Sequence, residues 1–174
     1  YPASSVSFGS SLAYHGVQRY PEAIRTYEHL FAVEKGTAED LHRYGDSLAA
    51  QNRHDDALLQ WRRAIELDPN RASTHRLMAR LLAKLGRHKD SIGYWREVVR
   101  ITPDDHEAHA GLGFANQALG VHVEAFANFR EAIRRRDDDP LYFVGLGTSC
   151  HAVGSMQESV EALEKATRLD PDCA

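Results

Sequence analysis

Three cations stand at helical spacing near the middle of this chain: Arg76, Arg80 and Lys84, at i, i+4 and i+8. On a helix that spacing makes one stripe. Guanidinium groups suit bidentate capture of a carboxylate or phosphate, so the stripe points to a ligand with an acidic group. The competing expectation is internal pairing with Glu39, Asp46 or Glu107 on neighbouring helices. Other constellations carry less. His106-Glu107-Ala108-His109 places its histidines at i, i+3, one residue short of the i, i+4 pair that holds zinc on a helix. A helix start with two exposed histidines is the simpler reading. Gly111-Leu112-Gly113 and Gly145-Leu146-Gly147 follow no strand and fall mid-helix, so they do not cradle phosphate. No nucleophile elbow or phosphate-binding loop occurs, and Cys150 and Cys173 have no metal-binding spacing. The residues therefore point to no catalytic group, metal or cofactor, and a non-enzymatic role is expected.

Composition sets outer bounds. The chain has 174 residues, 43% hydrophobic and 26% charged, with a net charge of -4. That is the composition of a folded soluble domain. The negative balance disfavours nucleic acid as a partner, because phosphate binding needs a basic surface. No apolar run approaches the ~18 residues a spanning helix needs, so no membrane insertion is expected. Two cysteines fit a reducing, cytoplasmic setting. The first residue is Tyr1 rather than Met, which reads as a removed leader or a segment of a longer protein.

The elements that position these residues follow from a period of 34. Gly45, Ala79, Gly113 and Gly147 share one column; Ala57, Ser91, Ala125 and Ser159 another; Tyr27, Trp61, Trp95, Phe129 and Leu163 a third. Fixed self-similarity at this period marks a stack of supersecondary units. Five gapless units result, 4–37, 38–71, 72–105, 106–139 and 140–173, forming a single array across 1–174. Each contains two amphipathic helices. Gly86, Gly120 and Gly154 suit a left-handed stop after the first helix. Asp68-Pro69, Thr102-Pro103 and Asp170-Pro171 end the second. Small columns let helix backbones approach, and the large column fills the gap between units. His54, His88 and His122 also recur at 34. Rings filling the turn between helices explain them, with pH sensitivity as the alternative. Arg134-Arg135-Arg136-Asp137-Asp138-Asp139 reads as a helix end with local pairing. Cys150 falls in a packing column.

This small and large pattern resembles the tetratricopeptide repeat family along the whole chain. The second unit supplies its signature as Leu41, Tyr44, Gly45, Leu48, Ala57, Trp61, Ala64 and Pro69. Departures are Ser11 and Lys35 in the first unit, and in the fourth Asp137 with Pro140 three residues late, which suggests looser ends there. The resemblance implies an all-α, right-handed α-solenoid of five helix-turn-helix units. It also implies an adaptor scaffold that binds a peptide or helix of a partner protein in the groove lined by the first helices.

The groove slots read as Phe8, Leu12 and His15, then His42 and Asp46, then Arg76, Arg80 and Lys84. The fourth unit offers Glu107, Ala110, Phe114 and Gln117, and the fifth Leu141, Val144, Thr148 and His151. Phe114, Leu141 and Val144 would anchor apolar groups beside the acidic one. The family's carboxylate clamp for chaperone tails is not matched, since its slots hold Phe8, Leu12, Arg43, Ser73 and Leu77. Val160 and Leu163 on the last unit lack evident cover, which suggests either self-association through that end face or a truncated array. The alternative function is a regulatory or substrate-recruiting segment of a larger enzyme, such as a glycosyltransferase.

Overall fold

Helix starts step through the chain by 34 residues in two interleaved series. In the computed structural model, which describes residues 19–33 and 36–171, one series is α2 (Ala38–Ala50), α4 (Ala72–Lys84), α6 (His106–Ala118) and α8 (Pro140–Ala152). The other is α1 (Tyr20–Val33), α3 (His54–Leu67), α5 (His88–Ile101), α7 (His122–Arg135) and α9 (Met156–Leu169). No strand occurs among the described residues. Phe8, Ser11, Leu12, His15, Lys35 and Cys173 lie outside them.

The two series begin differently for a chemical reason. Three of the first helices, α2, α6 and α8, are capped by side chains. Thr37 and Asp40 form a reciprocal capping box at α2, Asp105 accepts from the Ala108 amide at 3.0 Å, and Asp139 accepts from the Leu141 amide at 3.1 Å. Asp139 also explains the late proline: Pro140 is the first residue of α8, where its missing N–H costs nothing. That junction is therefore a defined cap rather than a loose end. The second helices α3, α5, α7 and α9 carry no side-chain cap, because a tight turn leads straight into them. Gly86, Gly120 and Gly154 sit at φ +73°, +73° and +85°. The following amides reach back to the helix just ended, Arg87 to Leu82 O at 2.8 Å and Val121 to Asn116 O at 2.9 Å. Asn52 fills the same slot at φ 58°, which asparagine tolerates better than most residues.

The chain divides into two compact units, residues 1–74 and 75–174. In the first, α1, α2 and α3 gather around Tyr27, Tyr44 and Trp61, all buried. The Tyr27 and Tyr44 rings lie 5.4 Å apart, and a Cβ added to Gly45 would run into the Trp61 indole. In the second unit, Trp95 packs with Ala79, Val98, Ala108 and Leu112. Phe129 packs with Ala125, Leu146, Cys150 and Ala162. Its ring lies against two glycines on successive first helices: a Cβ on Gly113 would meet it at 2.9 Å, and one on Gly145 would overlap it. Ser159 sits in the small column and donates to Gly147 O at 2.8 Å, tying α9 to α8.

Gly145→Ala separates the two effects of a mid-helix glycine. Alanine gains about 1 kcal/mol of helix propensity, but the fully buried Phe129 ring has nowhere to move. The expected net result is destabilisation by about 1–3 kcal/mol, read as a lower urea midpoint at unchanged m-value.

Candidate functional site

His42 and Asp46, the residues of the first unit expected in the groove, sit in a closed network. Trp61 Nε1 donates to Asp46 Oδ1 at 3.0 Å and to His42 O at 3.1 Å. Asp46 lies 3.6 Å from His42 Nε2, and His42 Nδ1 lies 2.8 Å from Thr74 Oγ1. Burial lowers the His42 pKa, and the Asp46 carboxylate opposes that shift without cancelling it. Beside it, burial pushes Glu39 up, but hydrogen bonds from Arg43 and Arg71 overcome this and leave its pKa below the usual value. His42 and Asp46 thus hold the unit together through Trp61 and Thr74. Thr74 is fully buried, so a His–Asp pair beside a hydroxyl here is not a nucleophile site.

The second unit is arranged differently. Its first helices present exposed side chains: Arg80 and Lys84 on α4, Phe114 on α6, and Leu141, Thr148 and His151 on α8, with Arg76 and Glu107 half-buried beside them. Arg76 pairs closely with Asp105, whose side chain is only 9% exposed, and stands 3.9 Å from Glu107. Arg80, 62% exposed at its side chain, meets Glu107 at 3.5 Å. Lys84 is exposed, and no ion pair is made by it among the described residues. The basic stripe is therefore graded from an internally committed end to an open one. Arg76 lines a cleft with Ile101, Pro103, Asp105, His106 and Glu107.

The apolar part continues from there. Phe114 is 41% exposed, while its ring meets buried Phe129 edge-on at 4.8 Å between centroids. Gln117 donates to Thr148 Oγ1, linking α6 to α8. Val144 is half-buried, and its carbonyl accepts from Thr148 at 2.9 Å. Ala110, expected in the groove, is instead buried against Ala132 and Tyr142.

His106 and His109 bond to groups of the protein itself. His109 is buried and its Nε2 bonds Pro103 O at 3.1 Å; His106 Nδ1 meets Tyr142 Oη at 2.8 Å. The expectation of two exposed histidines is corrected on this point. Burial, with Asp139 nearby, raises the Tyr142 pKa to about 12, so it stays a neutral partner. No metal-capable cluster of three or more side chains occurs among the described residues. His54, His88 and His122 each open a second helix, with Nδ1 buried and without a hydrogen-bond partner. The arginine run pairs locally, Arg135 with Glu131 at 2.6 Å and Arg136 with Asp138 at 2.6 Å.

Two features escaped the sequence reading. Asp105 was hidden because its capping position said nothing of Arg76. Trp95, 3% exposed, has a buried Nε1 without an acceptor. The signal was available: the column that supplies Asp46 to Trp61 supplies Arg80 to Trp95. On α9, Val160 and Leu163 stay exposed and border a cleft with Glu164, Thr167 and Arg168. No helix among the described residues is long and apolar enough to cross a membrane.

A TPR repeat model matches residues 45–86, and two tetratricopeptide repeat models match residues 76–140 and 142–173. A comparison with curated protein sequences gives no significant match. Among solved structures, MamA MSR-1 superposes with a TM-score of 0.82 at 19% identity, covering 95% of each chain. MamA from Desulfovibrio magneticus RS-1 gives 0.84 at 20%, covering 94% of this chain and 93% of the other. YrrB, described as a TPR protein with an unusual peptide-binding site, gives 0.85 at 18%, covering 93% and 84%. At these identities the likeness shows the fold, which is all-α and built of helical repeats.

Two outcomes follow from the geometry. Arg76→Ala strands the nearly buried Asp105 and is expected to cost about 1–2 kcal/mol, whereas Lys84→Ala stays within about 0.5 kcal/mol, both read by chemical denaturation. The folded pKa of His42 lies below its unfolded value of 6.5, so the unfolded chain takes up protons first on acidification. The stability it contributes is full above that value and falls as pH drops through it. His42→Gln is expected to flatten the melting-temperature profile between about pH 7.5 and about pH 5.5.

Proposed function

We propose that this chain, which belongs to the tetratricopeptide repeat family, is a non-enzymatic interaction module that binds an extended peptide or a helix of a partner protein on its first helices. The observation that carries this reading is Phe114. A large ring stays 41% exposed while its edge rests on the core, which costs solvation unless something covers it. Leu141 lies exposed on the next first helix, and the preceding one supplies two exposed cations, Arg80, which only Glu107 pairs at 3.5 Å, and Lys84. Apolar anchors beside unsaturated charge suit a peptide with aliphatic side chains and an acidic group.

The anchor and the charge contribute differently. Apolar burial supplies most of the affinity, and the cations fix register and reject basic sequences. Gln117 donates to Thr148, whose hydroxyl donates in turn to backbone carbonyls of its own helix, so the Gln117 side-chain oxygen is the group of this pair that can accept from a peptide backbone.

The test uses a fluorescein-labelled peptide selected by display on the wild-type chain, followed by anisotropy. Phe114→Ala and the double variant Arg80→Glu/Lys84→Glu are each expected to weaken binding about tenfold or more, with circular dichroism unchanged. Wild-type affinity in both variants contradicts the reading.

A further inference from the structure

The charges around the stripe do not balance in the way an idle salt-bridge network would. Arg76, Arg80 and Lys84 face two carboxylates, Asp105 and Glu107. Asp105 is fixed: it is nearly buried, bonds Arg76, and caps α6 through the Ala108 amide. Glu107 is not fixed. Its side chain is 40% exposed, it reaches Arg80 at 3.5 Å and Arg76 at 3.9 Å, and neither contact has the short geometry of the Arg76–Asp105 pair. One carboxylate is thus stretched between two guanidinium groups while Lys84 beside them stays open. The neighbouring Trp95 N–H is buried with no acceptor, at the column where Trp61 has the Asp46 carboxylate. This patch has more donors than acceptors, and its one loosely held acceptor stands on the exposed surface.

We infer that Glu107 is an internal stand-in for the ligand: it holds Arg80 in the free protein, and an aspartate or glutamate of the bound peptide displaces it. The inference rests on the groove reading above and names the residue that sets its charge preference. An exposed monodentate ion pair is weak and easily exchanged. A ligand carboxylate that reaches Arg80 and Lys84 together regains charge-assisted bonds that one glutamate cannot make alone. Glu107 also repels a ligand carboxylate at close range, so it lowers affinity for acidic peptides and keeps the cations from gripping every passing anion. Phe114 then receives the aliphatic neighbours of the acidic residue.

The test compares wild-type and Glu107→Gln chains against random 12-residue peptides displayed on phage, then measures selected peptides by calorimetry. Each acidic peptide is paired with its Asp→Asn or Glu→Gln counterpart. Glu107→Gln is expected to bind acidic peptides about threefold tighter or more, to leave the amide counterparts nearly unchanged, and to steepen the salt dependence of the acidic set alone. Equal gains for acidic and amide peptides, or none, overturn the inference while leaving the groove reading in place. Failure of either chain to enrich any peptide overturns the groove reading and the inference with it. Glu107→Ala serves the same comparison should the glutamine variant fail to fold.

Discussion

The structure depends on large rings seated against side-chain-free backbone. Phe129 is the clearest case, held between Gly113 and Gly145 on successive first helices. Each glycine weakens its own helix by about 1 kcal/mol relative to alanine. The loss is offset because the ring fills the space at interior packing density and links one helical hairpin to the next. Trp61 on Gly45 and Trp95 on Gly111 repeat the arrangement with an indole. Everything that faces solvent, including the cations and Phe114, takes its direction from these contacts, because a helix whose inner face is pinned has only one outer face.

Much of this was legible in the sequence, because packing repeats with the chain. The columns gave the helix pairs, and Gly86, Gly120 and Gly154 marked the left-handed turns at the observed positions. Cys150 is buried as its column required, and burial raises its thiol pKa. What was not legible involves partners on different elements at irregular separations. Arg76 and Asp105 are 29 residues apart, and His106 and Tyr142 are 36, so neither pair falls on the period. Pro140 looked like a late helix stop until Asp139 was seen capping the helix that begins there. A repeat reports what is shared between units, and these contacts arise where units differ.

The same distinction organises the surface. Arg76, Arg80 and Lys84 are equivalent by spacing and unequal by environment. The gradient from buried pairing to open charge comes from α6, whose Asp105 and Glu107 reach the first two cations and not the third. Spacing along one helix cannot carry that information. It resides in which residues a neighbouring helix begins with, and so in capping chemistry as much as in charge.

The two tryptophans, one in each compact unit, occupy the same column in different surroundings. The Trp61 N–H is hydrogen-bonded to a carboxylate and a carbonyl, whereas that of Trp95 is buried without an acceptor. An indole's emission energy responds to the field and hydrogen bonding at its nitrogen. The chain therefore carries two intrinsic optical labels with distinct environments, and a phenylalanine at either position leaves a single reporter for the unit that keeps its tryptophan.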